Sequence, residues 1–369
     1  MQIPAFKLER YFARYEFNIE HLLCASDCES FAIQDLLALE PDAAERFHQH
    51  WLGYTESMGS PSLRKEICRL YHDIHPNQVL VHAGAEEAIF LFMHAVLKAK
   101  DHVIVQSPCY QSLAEVARSI GCRVSWWNVH EENGWAIDID ELKHNIQSDT
   151  RAIIINTPHN PTGYLMPSEL FQMVSRIARE NGIILFSDEV YRESEYQKED
   201  RLPAACELGE HSLSLGVMSK TYGLPGLRIG WIATQNEAIY NGMAALKDYT
   251  TICNSAPSEF LAELALRHRE KLVERNLKII IHNLGVLDEF FARYPDRFAW
   301  HRPKAGPIGF PRLLGLDVEA FCKSLVKCAG VLLLPGTLYD HKGNHFRIGF
   351  GRKNLPEAIA RLEASLQQI

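Results

Sequence analysis

The sequence predicts an α/β fold: a large domain with a mostly parallel sheet between helices, plus a smaller α+β domain. Three observations predict it. From Val79 onward, short apolar runs alternate with helix-length segments, the rhythm of parallel strands covered by helices on both faces. Beyond Pro257 the rhythm changes to one long helical stretch followed by short strands and helices. The chain has 369 residues, 47% of them hydrophobic and 23% charged, enough for one large core and a second lobe. The expected division is 46–256 for the large domain, with 1–45 and 257–369 together forming the small one.

After a polar, aromatic-rich opening from Phe6 to Phe17, Ser26-Asp27-Cys28-Glu29 has the spacing of a capping box ahead of the apolar-periodic run Phe31 to Leu39. A short helix is expected there, with Ser26 and Glu29 as caps and Asp27 compensating the helix dipole. Capping explains these residues more simply than contact of the two acids with a cationic substrate side chain. Another helix starts at Ser60-Pro61, where Ser60 can cap and Pro61 fits the first helical position, with Leu63, Ile67 and Leu70 on one face.

Strands are expected at Val79 to His82, His102 to Gln106, Arg123 to Trp127, Ala152 to Asn156, Ile183 to Phe186 and Leu213 to Val217. Helices between them cover Ala88 to Leu97, the stretch after Tyr110, Asp140 to Ile146 and Ser168 to Glu180. In the second lobe, a long helical stretch reaches about Arg293. A strand-like piece comes next at Ile308 to Pro311, then a helix from Asp317 to Cys328, strands at Val331 to Leu334 and His345 to Phe350, and a closing helix after Asn354.

Ligands of open α/β sheets gather outside the carboxyl ends of the strands, so the residues just past each strand carry the chemistry. Val79 to His82 ends in Ala83-Gly84-Ala85-Glu86-Glu87, a small-residue turn whose free amides suit a phosphate. The next strand leads to Tyr110, a platform for a flat ring or a plain core aromatic. Ala152 to Asn156 opens into Thr157-Pro158-His159-Asn160-Pro161-Thr162-Gly163, whose prolines fix the backbone and leave the Asn160 amide free to donate.

Ile183 to Phe186 ends in Ser187-Asp188-Glu189-Val190-Tyr191, which sets a carboxylate at the tip of a central strand. Burying it is costly without a cationic partner, and a protonated pyridine nitrogen is such a partner. Leu213 to Val217 delivers Met218-Ser219-Lys220, followed by Gly223, Pro225, Gly226, Arg228 and Gly230. Those glycines let backbone approach a ligand closely, which suits an amine that must reach a bound cofactor.

Taken in order, the Asn156 to Gly163 tract, Asp188-Glu189-Val190-Tyr191 and the lysine loop resemble the fold-type I pyridoxal-phosphate aminotransferases of class I/II. The resemblance runs from about Tyr54 to Arg347. It implies pyridoxal 5'-phosphate as cofactor and Lys220 as its Schiff-base lysine. Asp188 would pair with the pyridinium nitrogen, Asn160 and Tyr191 would bond the ring hydroxyl, and Tyr110 would stack on the ring.

The resemblance also implies a phosphate held by Arg228, Ser219 and the amides of Ala85 and Glu86. Tyr54, five residues before Gly59, would reach the phosphate of a neighbouring subunit in a homodimer with shared active sites. Arg347 would clamp the substrate α-carboxylate, a planar two-point grip that lysine reproduces poorly. The implied reaction is amino transfer from an amino acid to a 2-oxo acid. Val217 stands where many relatives place a phosphate-binding hydroxyl.

The same scaffold also runs elimination, replacement and cyclisation. The opening Leu8-Glu9-Arg10-Tyr11-Phe12 with Ser26-Asp27 is similar to capreomycidine synthase, a cyclising relative. A DNA-binding regulator built on this fold is disfavoured, because a formal charge of −8 without a basic cluster argues against a nucleic-acid footprint. Nine cysteines without zinc-ribbon spacing read as buried thiols of a reducing compartment. No apolar run approaches the ~20 residues of a membrane span, and a cytoplasmic protein that uses no metal is expected.

Overall fold

The apolar runs pair into one sheet because most are buried on both faces and can satisfy their backbone only against a neighbour, while Arg123–Asn128 at one edge is largely half-buried. The computed structural model describes residues 2–367 and centres on seven strands in the order Val79–His82, Gly230–Thr234, Ser212–Val217, Ile184–Asp188, Thr150–Asn156, His102–Ser107 and Arg123–Asn128. Gly230–Thr234 runs antiparallel to both neighbours, and every other pairing is parallel. The register sets Asn156 beside Asp188 and Asp188 beside Leu215, so the functional strand ends finish level with one another.

Helices cover both faces. Ala85–Val96 packs Ala88, Ile89, Phe92 and Met93 against Val103, Phe186 and Leu215 on one side. On the other, Phe171 and Val174 of Ser168–Glu180 pack with Ile153 and Leu185. Caps obey local chemistry: Ser60 accepts from the Leu63 amide with Pro61 at the first helical position, and Asp138, Asn236 and Asp317 accept first-turn amides of their helices.

Past Pro257, the helices Ala256–Arg267 and Arg269–Arg293 replace the single expected stretch, with a break at His268. A three-stranded antiparallel sheet, Ile308–Gly309, Phe346–Gly349 and Leu334–Pro335, shares a core with Phe290, Phe321 and Leu362. The expected strand Val331 to Leu334 divides into Val331–Leu332 and Leu334–Pro335, because Val331–Leu332 pairs in parallel with His21–Leu22 of the N-terminal segment. Six of the nine cysteines are buried and all are free, but Cys328 is exposed on the helix Val318–Ala329.

The N-terminal region departs most from expectation. Phe6 to Phe17 contains a helix, Lys7–Tyr15, and the helix expected over Phe31 to Leu39 shrinks to Ile33–Leu37. Ser26, Asp27 and Glu29 do not cap it. Asp35 accepts the Ala32 amide instead, while Ser26 accepts from Lys220, Asp27 pairs with Arg352 and Glu29 accepts the Lys353 amide. The cause is close backbone approach. A Cβ on Gly349 would lie 1.8 Å from the Ala25 carbonyl oxygen, one on Gly351 2.4 Å from that of Asp27, and one on Gly223 2.6 Å from that of Glu29.

Candidate active site

The level strand ends, the lysine loop and the N-terminal segment enclose a cavity of about 540 Å³. Of the residues singled out from the sequence, Ala85, Glu86, Tyr110, Asn160, Asp188, Tyr191, Ser219, Lys220, Arg228 and Arg347 all line it. Tyr54 does not. It is 87% exposed on a loop outside this cavity.

Asp188 is buried at the tip of Ile184–Asp188. Its Oδ1 accepts the Val190 amide at 3.2 Å, and no cation lies within ion-pair distance among the described residues. Burial therefore pushes its carboxyl up to about 7, against the pull of that amide and of Lys220. Tyr191, 1% exposed, directs a hydroxyl without a hydrogen-bond partner into the same space, and burial raises its pKa. An acid without a counter-cation and a phenol without a hydrogen-bond partner face one cavity, as complementary groups on a ligand would require.

Lys220 Nζ donates to Ser26 Oγ at 2.9 Å. Enclosure by protein lowers the ammonium below its usual range, Asp27 and Asp188 oppose that, and Arg347 adds to it. The amine is thus eased toward its neutral, nucleophilic form.

At the opposite wall, Gly84 at φ 91° precedes the helix Ala85–Val96, whose first amides have no intrahelical acceptor. A Cβ on Gly84 would lie 2.7 Å from Arg228 Nη2, and one on Gly230 would lie 3.0 Å from the Ala85 nitrogen. A guanidinium therefore rests against the positive end of a helix. Two like-signed features this close are stabilised by an anion between them.

Arg347 is 1% exposed. Its Nε and Nη2 donate to the Cys24 carbonyl at 3.1 and 2.8 Å, and its Nη1 donates to Tyr339 Oη at 2.5 Å and Asn160 Oδ1 at 3.3 Å. Asn160 is itself fixed from behind, its backbone N–H donating to Asn156 Oδ1 at 2.6 Å.

The sequence marks Leu8 to Phe12 and Ser26-Asp27 only as a stretch similar to a cyclising relative, and it does not place the wall nearest the N-terminus in the site. Leu8, Glu9, Phe12 and Glu16 line the cavity, joined by Asp27 and Arg352. Tyr110 Oη donates to Glu9 Oε1 at 2.8 Å, and Phe6 packs on the Tyr110 ring at 4.9 Å between centroids. The signal was present: Leu8, Tyr11, Phe12 and Tyr15 recur at helical spacing.

Comparison with known proteins agrees with this geometry. The family described as "Aminotransferase class I and II" matches residues 21–362. An aspartate aminotransferase from Pyrococcus horikoshii is 30% identical over 340 residues, 88% of this chain and 86% of that protein. A capreomycidine synthase from Streptomyces vinaceus is 27% identical over 370 residues, 99% and 94% of the two. The crystal structure of a PLP-dependent aminotransferase from Streptococcus suis superposes with a TM-score of 0.93 at 31% identity, covering 100% of this chain and 98% of that one.

Proposed function

We infer how this site works from one premise: the chain belongs to the class I and II aminotransferases. It is a pyridoxal-phosphate-dependent enzyme of fold type I that moves an amino group from an amino acid to a 2-oxo acid. The residue roles are our own reading. The observation that carries them is that Lys220 and the unpaired carboxyl of Asp188 face one cavity.

The cavity fits the cofactor. Asp188 would hold a pyridinium nitrogen, the free Tyr191 hydroxyl and the Asn160 amide would bond the ring oxygen, and Tyr110 would pack on the ring. Arg228, Ser219 and the first amides of Ala85–Val96 would hold the phosphate. When bound, the cofactor supplies an electron-withdrawing ring that stabilises negative charge at the substrate Cα.

The protein supplies position and a mobile proton. Arg347, already fixed by the Cys24 carbonyl, Tyr339 and Asn160, orients the α-carboxylate. Lys220 takes up the Cα proton at Nζ as general base and returns a proton as general acid, its lowered pKa suiting both tasks. Ser26 is placed to hold that amine between the two transfers. Replacing Lys220 with alanine should remove turnover while the fold persists. Retention of most activity in Lys220→Ala would refute the assignment.

We read the working unit as a cytoplasmic homodimer with shared sites, its large domain spanning 46–256. Exposed Trp51, Leu52 and Tyr54 lie on a loop tied to the Tyr249 and Ile252 region by Thr55 Oγ1 to the Asn254 carbonyl and by Lys247 Nζ to the Ser57 carbonyl. Such an apolar patch is suited to burial against a second copy. No helix among the described residues is long and apolar enough to cross a membrane. A second reading, elimination or cyclisation, is supported by the cavity wall formed by Leu8, Glu9 and Phe12, the stretch similar to a cyclising enzyme.

A further inference from the structure

The cavity carries more carboxylates than its cofactor chemistry uses. Glu9 and Glu16 lie seven residues apart, two helical turns, with Phe12 between them, and all three face the cavity from one side of the N-terminal segment. Neither glutamate forms an ion pair with a cation among the described residues. Glu9 keeps one oxygen on the Tyr110 hydroxyl, and its other oxygen has no protein donor.

The cation nearest to cancelling this charge is already used. Arg352 holds Asp27 through Nη2 at 3.0 Å to each carboxylate oxygen and through Nε at 3.2 Å. The side-chain end of the cavity therefore presents three carboxylates and one guanidinium, and that guanidinium is neutralised by two of the oxygens. Glu29, the other acid of the same loop, turns away to accept the Lys353 amide. Burial holds Glu16 above the usual carboxylate range, as expected of an acid awaiting a counter-charge.

With an α-carboxylate on Arg347 and an α-amine at Lys220, a substrate's side chain must leave along the remaining wall, past Phe12 and the two glutamates. We propose that the enzyme is selective for amino acids with a cationic side chain, an amine or a guanidinium, whose charge is held by Glu9 and Glu16. This rests on the reading of Arg347 and Lys220 given above. A dicarboxylic amino acid would bring a fourth carboxylate to the same place, where the Arg352 guanidinium is already bonded to Asp27.

The test reads binding as well as turnover. Arginine, lysine, alanine and aspartate are titrated by calorimetry into cofactor-loaded Lys220→Ala enzyme, which holds substrate without turning it over. The same set is then titrated against the visible cofactor band of the wild-type holoenzyme. Arginine or lysine should bind at least about tenfold more tightly than alanine, and aspartate more weakly than alanine. In the Glu9→Gln/Glu16→Gln double variant the arginine-to-alanine ratio should fall about tenfold or more, because the amides keep the shape and lose the charge.

Aspartate binding as tightly as arginine, or an unchanged ratio in the double variant, overturns the proposal. The wild-type titration separates this from the reaction itself: cationic preference with ammonia or a cyclised product, and no aminated cofactor, would overturn amino transfer and uphold the substrate class. If the alanine variant fails to load cofactor, the wild-type half-saturation values decide by the same ratios.

Discussion

Lys220 Nζ and Ser26 Oγ meet at 2.9 Å although 194 residues separate them in the chain. The contact exists because three glycines let the Leu23 to Glu29 loop sit on the Phe346–Gly349 strand and on the lysine loop. Residues that supply no functional group therefore decide whether the N-terminal segment reaches the active amine.

The first prediction concerns that approach. Gly349→Ala would place a Cβ 1.8 Å from the Ala25 oxygen, so the loop must shift. We expect a loss of about 1–3 kcal/mol in chemical denaturation, the range for an overpacked buried contact. The separation of Ser26 from Lys220 should also weaken saturation by substrate more than by cofactor.

The second concerns Asp188. Its carboxyl titrates near 3.8 when unperturbed and at about 7 in the fold, so the folded apoprotein binds an extra proton between those values. This group's contribution is fully present below about pH 4 and is lost as pH rises toward 7, a difference on the order of 4 kcal/mol. Asp188→Asn should therefore make the apoprotein more stable than wild type at about pH 8 and no more stable at about pH 4. In the same variant cofactor affinity should fall, since the pyridinium loses its counter-charge. Denaturation of both apoproteins across this range checks the sign.

The third concerns Arg347. Arg347→Lys keeps the charge and loses the fork that bonds the Cys24 carbonyl twice and Tyr339 and Asn160 once each. We expect kcat/KM to fall about 100-fold, roughly 3 kcal/mol, for every amino acid alike, because the α-carboxylate is common to all of them.

The fourth concerns Tyr54, 87% exposed in one chain. If it serves the neighbouring site, a mixture of Lys220→Ala and Tyr54→Ala subunits forms hybrid dimers in which one site has both native residues. Activity above that of either variant alone should appear on mixing. Its absence, with subunit exchange confirmed by a labelled wild type, would place Tyr54 outside the chemistry.

The strand ends were legible because each terminates a short apolar run whose burial leaves little choice of partner. Asn160, Asp188 and Lys220 emerge level because their strands are adjacent and four of the pairings are parallel. The N-terminal wall was not legible for two reasons. Lys7–Tyr15 is rich in charge, which obscured its apolar stripe, and Ser26-Asp27-Cys28-Glu29 has the spacing of a cap while its backbone is held by contacts more than 190 residues away. A local pattern yields to tertiary contacts of that kind, as Asp35 capping in place of Ser26 shows.

The most direct test of the central claim is the visible spectrum of purified holoenzyme, recorded while amino acids and then a 2-oxo acid are added. Amino transfer through Lys220 predicts that a suitable amino acid converts the resting band to that of the aminated cofactor and that the 2-oxo acid restores it, with both changes absent in Lys220→Ala. A resting band that persists while ammonia or a cyclised product accumulates would contradict it.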